Sequence, residues 1–449
     1  MENLIFSTPS LSRRSVIWLL SLIIVNPLSA QVFKAGAYVS NVTPPLGKEI
    51  VGNWNSPPAT HVHDELYAKC LVLDNEKTKI AIVVVDNVGI RREVFDAAKQ
   101  WIVEETDLEV DHILMAATHT HSAISASGEG NARKAWQGDA PLDEYQQFVA
   151  RRMADGVRIA INHLEPARIA WGGVDVPQHV FNRRWLMREP VMNPLGGMDK
   201  AKMNPGLKNP DIVKPAGPID PEVSFIAVES AKGTPIAVLA NYSLHYVGGV
   251  PRGHISADYF AIFGDRLQEL MGADRQTPSF VGIMTNGTSG DVNNINFAGP
   301  GEKYLPYAKM NIVANDVAKA VYEKYQDLEF RDWVPLAAAQ TEMKLKVRRA
   351  SAKVLENMEA VRARPDSSDP IFSRHEKIYA ERIRQLEAEW PDEIKIILQA
   401  FRIGDLGIAT SPFETFAETG LEIKEKAPFK DAFTIELANG SYGYLPTPP

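Results

Sequence analysis

Short apolar runs that alternate with helical segments constrain the fold of this chain more than any other feature. Lys79–Asp86 (KIAIVVVD) and His112–Ala117 predict buried strands, because short runs rich in Val, Ile and Leu suit a sheet that is covered on both faces. Between them, Val94–Glu105 repeats its apolar residues at helical spacing. The alternation predicts an α/β fold in which layered mixed β-sheets are flanked by helices.

Further elements follow from the same patterns. Phe225–Val228 and Pro235–Leu239 predict a hairpin around Lys232-Gly233. Residues 187–221 are rich in Pro, Gly, Asn and Lys, and they predict a long surface loop. Residues 351–392 predict a charged helical hairpin on the surface. The same periodicity predicts the remaining long helices, which are Asp143–His163, Asp258–Leu270, Tyr304–Tyr325 and Glu414–Lys424.

Composition excludes several classes of function. The 449 residues are 45% hydrophobic and 23% charged, which is ordinary for a globular protein with a large core. A formal charge of -8 argues against a nucleic acid as the main partner. Cys70 is the single cysteine, so an intrachain disulfide and a thiolate metal cage are both excluded. Any bound metal must therefore be held by His, carboxylate or Tyr.

The N-terminal segment, residues 1–30, predicts an export signal peptide. Arg13 and Arg14 form its positive region, Val16–Val25 is the apolar region, and Leu28–Ala30 supplies small residues for cleavage. The arginine pair also suits a twin-arginine signal. An uncleaved membrane anchor is the alternative, although the apolar run is short for a bilayer span. The prediction is a secreted or periplasmic protein whose mature part is one catalytic domain.

The strongest candidate for chemistry is Thr118–Ser122 (THTHS), which directly follows the predicted strand His112–Ala117. Since alternate side chains of a strand share a face, His119 and His121 are expected to leave the strand side by side. Paired imidazoles suit a zinc ion. The alternative is two polar residues that are satisfied by backbone or water.

Three other places pair an apolar strand with a residue suited to metal ligation. Catalytic residues of α/β folds collect at strand ends, which is why such residues are candidates. Spacing alone would admit His254 or Asp258 equally well, so the residues themselves support only HxH with one more His and one carboxylate. The candidates after apolar strands are His245, Glu414 and the pair Tyr442 and Tyr444.

Four short segments, in this order, resemble the neutral/alkaline non-lysosomal ceramidase family. The region from His63 to Lys69 resembles the opening of that family's catalytic domain as well. The resemblance covers roughly residues 33–449 and implies one ceramidase-like catalytic domain, residues 31–449. The segments that carry it are Thr118–Ser122, Phe181–Arg183, Gly290–Val292 and Pro412–Thr415.

The resemblance implies the ligands of a metal site. Members of the family hydrolyse the amide of ceramide with one zinc ion per chain. Carried over to this sequence, the zinc ligands are His119, His245, Glu414 and Tyr444, with Tyr442 as the fallback for the tyrosine.

The resemblance also implies active-site residues beside the metal. It places His121 beside the metal facing the substrate carbonyl and Arg183 in the active site. A nearby acid must protonate the leaving nitrogen, and His121 or Asp291 could take that role. The structural alternatives are a salt bridge for Arg183 and turn chemistry for Asp291.

Two departures from the family affect the expected substrate. Asn293 stands where the family has an active-site serine, and Ser289 or Thr288 are the nearby hydroxyls that could replace it. The sequence also ends at Pro449, whereas the family continues to another active-site tyrosine and an immunoglobulin-like domain. The resemblance therefore predicts either a short bacterial-type relative without that domain or a truncated chain.

The expected function is a zinc-dependent amidohydrolase that is ceramidase-like and cleaves a linear N-acyl amide of a lipid or small molecule. A lipid substrate would bring the protein into peripheral contact with a membrane. One alternative is the same zinc site acting on an ester or glycoconjugate, and another is a degenerate, non-catalytic extracellular binding protein. The TIM-barrel amidohydrolases also use HxH, but on the first barrel strand, whereas several predicted strands precede it here.

Overall fold

In the largest sheet, the side chains of each strand point alternately to the two faces, and both faces are buried. The computed structural model describes residues 31–448 except 53, 125, 127, 129–140, 277 and 278. The predicted signal peptide therefore lies outside the described residues. Val32–Pro449 forms one compact unit.

The strands are distributed along the whole described chain. In chain order they are β1 (Lys34–Asn41), β2 (Ile50–Val51), β3 (His61–Val62), β4 (Tyr67–Asp74), β5 (Lys79–Val85), β6 (Ile113–Ala117), β7 (Ala123–Ile124), β8 (Glu165–Asp175), β9 (Phe181–Asn182), β10 (Arg184–Met192), β11 (Met198–Met203), β12 (Ile212–Pro215), β13 (Glu222–Ser230), β14 (Pro235–Tyr242), β15 (His254–Ile255), β16 (Val281–Asn286), β17 (Val292–Asn293), β18 (Leu336–Lys346), β19 (Glu393–Ile403), β20 (Leu406–Ser411), β21 (Glu414–Thr415), β22 (Asp431–Glu436) and β23 (Tyr444–Leu445).

The helices occupy the long connections between strands. In chain order they are α1 (Arg92–Glu105), α2 (Glu144–Asn162), α3 (Asp258–Met271), α4 (Ala308–Tyr325), α5 (Ala352–Ala363), α6 (Glu376–Glu389) and α7 (Ala417–Lys426). The start of α2 is well defined, because Asp143 and Gln146 form a reciprocal capping box.

The largest sheet has eight strands in the order β16-β14-β13-β8-β1-β4-β5-β6. Neighbours pair antiparallel except β5 with β6 and β14 with β16, which are parallel. Strand alternation divides its side chains between two cores. Val83 and Met115 face α1 and α2, whereas Ile82 and Leu114 face the opposite side. The mixed pairing excludes the all-parallel TIM barrel.

The second sheet has four strands in the order β18-β19-β20-β22. Its apolar residues, such as Phe401, Ile408 and Phe433, pack against the face of the large sheet that is turned away from α1 and α2. A third core lies between the large sheet, α3 and α4. The result is helices on one face of the large sheet and a smaller sheet on the other, so the predicted α/β layering is confirmed.

The prediction of a long loop at residues 187–221 is wrong. β10, β11 and β12 lie there and form a three-stranded antiparallel sheet in the order β11-β10-β12. These strands are mostly exposed, and Met198, Lys200 and Lys202 are examples of outward side chains. Because neither face of β11 is covered, the sequence carries no apolar alternation that would reveal a strand.

The charged helical hairpin is confirmed as α5 and α6, with a small core of its own built on Met358, Val361 and Ala380. The hairpin also contacts the loop before β11, where Asn357 donates to the carbonyl of Leu195. Several predicted boundaries shift. Glu414 lies in β21 rather than at the start of a helix, and α7 begins three residues later.

Among the residues that the structure describes, no helix is both long and apolar enough to span a bilayer.

Candidate metal centre

The candidate ligands come together because each follows the carboxyl end of a strand. His119 comes two residues after β6, His245 three residues after β14, and Glu414 three residues after β20. The edge strands β6 and β16 approach each other, and β22 lies against both of them. Ends that are distant in sequence therefore meet at one point.

His119 adopts a backbone conformation that histidine rarely takes. Its φ of 71° lies in the left-handed region, which costs a non-glycine residue about 1–3 kcal/mol. The backbone N–H of His119 donates to the carbonyl of Asn87 at 2.9 Å, and this contact holds the turn. His119 and His121 lie side by side as expected, but through this turn and not through strand alternation, because β6 ends at Ala117.

The turn still brings three imidazoles together. Nε2 of His119 lies 3.0 Å from Nε2 of His245 and 3.0 Å from Nε2 of His121. All three ligand atoms lie within 4.8 Å of one another. Oε2 of Glu414 lies 3.4 Å from Nε2 of His119 and 3.7 Å from Nε2 of His245.

The hydrogen-bond partners of Nδ1 in His119 and His245 determine which ring nitrogen carries the proton. Nδ1 of His119 lies 2.5 Å from the carbonyl of Val88, which only accepts, so Nδ1 is the donor. Nδ1 of His245 lies 3.3 Å from Oγ of Ser289. The Ser289 hydroxyl donates to Oε1 of Glu436 at 2.8 Å and is left to accept from His245. With its proton on Nδ1, each ring presents a lone pair at Nε2.

These contacts fit a bound cation. Two lone pairs 3.0 Å apart repel each other, and the buried Oε2 of Glu414 beside them has no hydrogen-bond donor among the described residues. A cation between the three atoms satisfies them together. Zn–N bonds of about 2.0–2.1 Å at tetrahedral angles hold two nitrogens roughly 3.3 Å apart, close to the observed spacing.

The pKa shifts of the site residues favour the protonation states that can bind a metal ion. Burial, and then the charge of Arg183, lower the pKa of His245 well below its ordinary value. Burial and the neighbouring His119 do the same for His121. Burial alone would raise the pKa of Glu414, but His119, a hydrogen bond from Tyr444 and the charge of Arg183 outweigh it and lower that pKa. At neutral pH the imidazoles of His245 and His121 are therefore neutral, and the carboxylate of Glu414 is charged.

Glu436 completes the surroundings of His245 from the end of β22. Its Oε2 accepts from the backbone N–H of Thr415 at 2.8 Å, and its Oε1 accepts from Ser289. Burial raises the pKa of Glu436, as does the nearby charge of Glu414. A divalent cation beside His245 would favour the ionised form.

Tyr444 rather than Tyr442 lies at the site. β21 pairs with β23, which sets Glu414 directly opposite Tyr444. The Tyr444 hydroxyl accepts from Nη2 of Arg183 at 3.1 Å, and its interaction with the Glu414 carboxylate helps to lower the pKa of that group. Tyr442 points elsewhere, since its hydroxyl donates to the carbonyl of Lys395 at 3.3 Å.

Arg183 is buried and lies against the loop after β16. Its Nη2 donates to the carbonyl of Gly290 at 2.7 Å as well as to Tyr444. It therefore faces the candidate ligands, and it forms no ion pair with a structural carboxylate of the described residues. Asp291 is held differently, because Oδ1 accepts from the N–H of Ala417 and Oδ2 from Nδ2 of Asn182. These contacts favour a positioning role for Asp291, and its role as an acid stays a prediction.

Asn293 stands at the position where the ceramidase family has a serine, and its side chain makes different contacts. Nδ2 of Asn293 donates to Asn204 at 3.2 Å, and Oδ1 accepts from the N–H of Ile295 at 3.0 Å. Ser289 is the nearby hydroxyl that reaches a candidate ligand, on the outer side of His245.

Sequence reasoning missed Val88, Ser289 as a partner of His245, Glu436 and Tyr246. The Tyr246 ring stacks on His121 with centroids 3.8 Å apart. Glu436 had a signal, since it is a carboxylate at the end of the apolar strand β22. The contact of Val88 uses only its backbone carbonyl, for which no side-chain signal exists.

Two clefts share Val250 and Pro251 in their walls, and none of the candidate ligands is among their described lining residues. The smaller one, about 580 Å³, includes Ser122, the residue after His121. The larger one, about 830 Å³, includes Asn294, whose side chain donates to the carbonyls of Tyr246 and Val247. Much of the larger cleft is apolar, through Phe181, Leu207, Val247, Ile295, Leu305 and Ile312.

The fold and the donor set together define a layered α/β protein with a His-carboxylate centre at its strand ends. Among solved structures, the fold is that of the neutral ceramidases. The neutral ceramidase from Pseudomonas aeruginosa aligns with a TM-score of 0.63 at 15% identity, covering 93% of this chain and 69% of that one. A ceramidase complexed with C2 aligns with a TM-score of 0.64 at 16% identity, covering 92% and 70%.

At these identities the likeness concerns the fold, for which the predicted resemblance to neutral ceramidases is confirmed. No protein-family model matches the chain, and no curated protein matches it by sequence.

Proposed function

We propose that this chain is a zinc-dependent, ceramidase-like hydrolase that cleaves a linear N-acyl amide. The observation that carries the proposal is the convergence of two Nε2 lone pairs and one carboxylate oxygen, from His119, His245 and Glu414, within 3.7 Å of one another. Such a set of N and O donors is typical of catalytic zinc.

His119, His245 and Glu414 would hold the ion, with the Tyr444 hydroxyl beside Glu414 as the fourth candidate ligand. Bound there, zinc supplies a Lewis acid that acidifies water and polarises a carbonyl. The Val88 carbonyl and the Ser289–Glu436 pair orient the two imidazoles, which is the usual role of such outer partners.

The remaining residues act on the amide. Arg183 donates hydrogen bonds to the oxygen of the scissile carbonyl as negative charge develops on it. His121, kept neutral by burial, takes a proton from the attacking water at Nε2 and returns it to the leaving nitrogen. The C–O bond forms, the C–N bond breaks, and the products are a carboxylate and an amine.

The larger cleft supports a substrate with an acyl chain. Its apolar side chains include Leu305 and Leu207, which are 80% and 49% exposed and would be covered by a bound chain. The ceramidases with this fold suggest a lipid amide as the substrate class. Such a substrate implies peripheral contact with a membrane.

Localisation is proposed from the sequence. The segment of residues 1–30 has the features of a secretory signal. We infer a secreted or periplasmic enzyme, with residues 31–449 as its catalytic domain.

The test is a substrate screen on the zinc-loaded protein. Ceramide, short N-acyl amides, matched esters and glycosides are assayed for release of acid, amine or sugar. We expect amide hydrolysis that chelation abolishes and zinc restores, and that His119→Ala reduces by more than about 100-fold, since the loss of outer partners alone costs about 10- to 100-fold.

The outcomes separate the alternatives. Metal-dependent cleavage of esters or glycosides without amide turnover would show that the same metal site acts on a different substrate. Metal binding without turnover of any compound would support a non-catalytic binding protein.

A further inference from the structure

The smaller cleft has a composition that ceramide does not explain. Its walls come from Ile50, Trp54, Asn55 and Pro57, from residues 250–254, and from residues 374, 375 and 378 around the start of α6, together with Ser122. Arg252 and Arg374 are among its lining residues, and none of the lining residues that the structure describes is Asp or Glu. In a chain with a formal charge of -8, this is a locally positive cavity.

The two guanidinium groups are available to a ligand. Arg252 and Arg374 are both exposed. Neither forms an ion pair with any residue in the described part of the chain, unlike Arg168 and Arg266, which pair with Glu229 and Glu269. A guanidinium presents a planar fork that matches carboxylate, sulfonate or phosphate oxygens.

Aromatic groups give the cleft a firm wall. Trp54 stacks on the imidazole of His375 with centroids 3.9 Å apart and an interplanar angle of 1°. The guanidinium of Arg382 lies 5.9 Å from the Trp54 ring centroid and adds a third cation near this wall. On the other side, Nδ1 of His254 contacts the Tyr307 hydroxyl, which fixes the orientation of that ring.

The cleft is connected to the candidate metal centre by neighbouring residues of the chain, Ser122 and His121. Ser122 lines it and follows His121, and consecutive Cα atoms lie about 3.8 Å apart. The Ser122 carbonyl accepts from the N–H of Ser256, two residues after His254. The same short segments therefore carry both a candidate active-site imidazole and the wall of the positive cavity.

We propose that the smaller cleft binds an anionic group on the amine side of the scissile amide, held by Arg252 and Arg374. This inference rests on the proposed amidase function. The apolar cleft accommodates the acyl chain, and since the two clefts share Val250 and Pro251, a single amphiphile reaches both. The substrate class is an N-acyl amine whose head carries a carboxylate, sulfonate or phosphate.

The experiment compares amides that share one acyl chain and differ in head charge. The anionic probes are N-lauroylglycine, N-lauroyltaurine and N-lauroyl-O-phosphoethanolamine, and the neutral probe is N-lauroylethanolamine. We expect kcat/KM to be about 10- to 100-fold higher for at least one anionic probe, the range for hydrogen bonds to charged groups. The order among the three identifies the head group.

Variants then locate the effect. The double variant Arg252→Gln/Arg374→Gln should lose the preference for anionic probes while keeping turnover of N-lauroylethanolamine. Arg266→Gln removes a positive charge from α3 outside both clefts and should keep the preference. Equal kcat/KM for anionic and neutral probes in the wild type, or a preference that survives in the double variant, would overturn the inference.

A binding measurement keeps this inference separate from the proposed function. Calorimetry on His119→Ala records the affinity for N-lauroyltaurine and N-lauroylethanolamine without turnover. If no amide is hydrolysed but the sulfonate binds at least tenfold tighter, and Arg252→Gln/Arg374→Gln in the same background abolishes the difference, the amidase proposal fails and the anion site stands. Equal affinity for the two probes overturns the anion site, whatever the activity.

Discussion

Single hydrogen bonds decide the chemistry at the scale of the residue. The Val88 carbonyl fixes the proton of His119 on Nδ1, and Ser289 does the same for His245. Without these two contacts, either ring could present an N–H to the cation and fail to ligate it. The left-handed backbone conformation of His119 is unfavourable in free energy, and the fold tolerates it in order to keep this geometry.

The two C-terminal tyrosines give a matched pair of variants. Tyr444→Phe removes a hydroxyl that contacts both Arg183 and Glu414, and it should lower kcat/KM by at least about tenfold. Tyr442→Phe removes a hydroxyl that donates to the carbonyl of Lys395, away from the candidate ligands, and should change kcat/KM little. Steady-state kinetics on both variants checks the prediction, and similar effects of the two changes would contradict it.

The outer partner of His245 can be tested through metal affinity. Ser289→Ala removes the acceptor for Nδ1 of His245 and should weaken zinc binding by about 10- to 100-fold, as measured by competition with a chelator. Ser40→Ala is the control, since its buried hydroxyl has no hydrogen-bond partner among the described residues. Equal zinc affinity in the wild type and Ser289→Ala would refute the role.

At this scale the sequence predicts only part of the site. His119, His245, Glu414 and Tyr444 follow from strand ends and from a family resemblance, and the structure brings them together. The contact of Glu436 with Ser289 could not be predicted, because the two residues lie 147 positions apart and nothing local indicates that they meet. Partners that are distant in sequence are set by topology.

At the scale of the element, the segment after β22 connects the two halves of the site. Asn439 donates its backbone N–H to the carbonyl of Met115 in β6, and its side chain accepts from Nζ of Lys99 in α1 at 2.8 Å. Lys99 is buried, and burial lowers its pKa from 10.5 to about 8. This helix therefore holds the segment that leads to Tyr444.

The buried lysine predicts how stability depends on pH. Between pH 8 and 10.5 the unfolded chain keeps the Lys99 proton while the folded chain has lost it, so the free energy of unfolding rises with pH in that window. The full change corresponds to about 3 kcal/mol. Lys99→Met should remove this rise, which denaturant unfolding between pH 8 and 10 measures.

The control for this prediction is Lys319→Met, which changes an exposed lysine of α4 that pairs with Glu323. It should leave the pH dependence of stability as in the wild type. A rise of the same size in Lys99→Met and in the wild type would show that another group is responsible.

Elements are predicted well where one face is buried and poorly where none is. The apolar positions of α2, such as Met153 and Val157, are buried as their spacing predicts. β11 lacks any such pattern because its residues are exposed or half-buried, and so it was expected as loop. Its pairing with β10 depends on backbone hydrogen bonds, which side-chain patterns do not report.

At the scale of the whole molecule, the site links segments from most of the chain. The candidate ligands run from His119 to Tyr444, so a bound ion holds distant parts of the native structure together and binds only when they have folded. Metal content should therefore change the stability of the entire unit.

Chelation tests this coupling. At a free zinc concentration 100 times its Kd, the ion adds about 2.7 kcal/mol to the free energy of unfolding, which for a chain of this size raises Tm by about 3 °C. Calorimetric scans with and without a chelator measure the shift. His119→Ala should show no shift, and an equal shift in that variant would place the ion elsewhere.

The central claim is that His119, His245 and Glu414 bind one divalent ion, and its most direct test is the metal content of the purified protein. Elemental analysis should give about one zinc per chain in the wild type and in His163→Ala, whose imidazole contacts the carbonyl of Ala37 and the ring of Tyr38 and no candidate ligand among the described residues. His119→Ala and His245→Ala should each contain far less. Equal metal content in all four proteins would contradict the account.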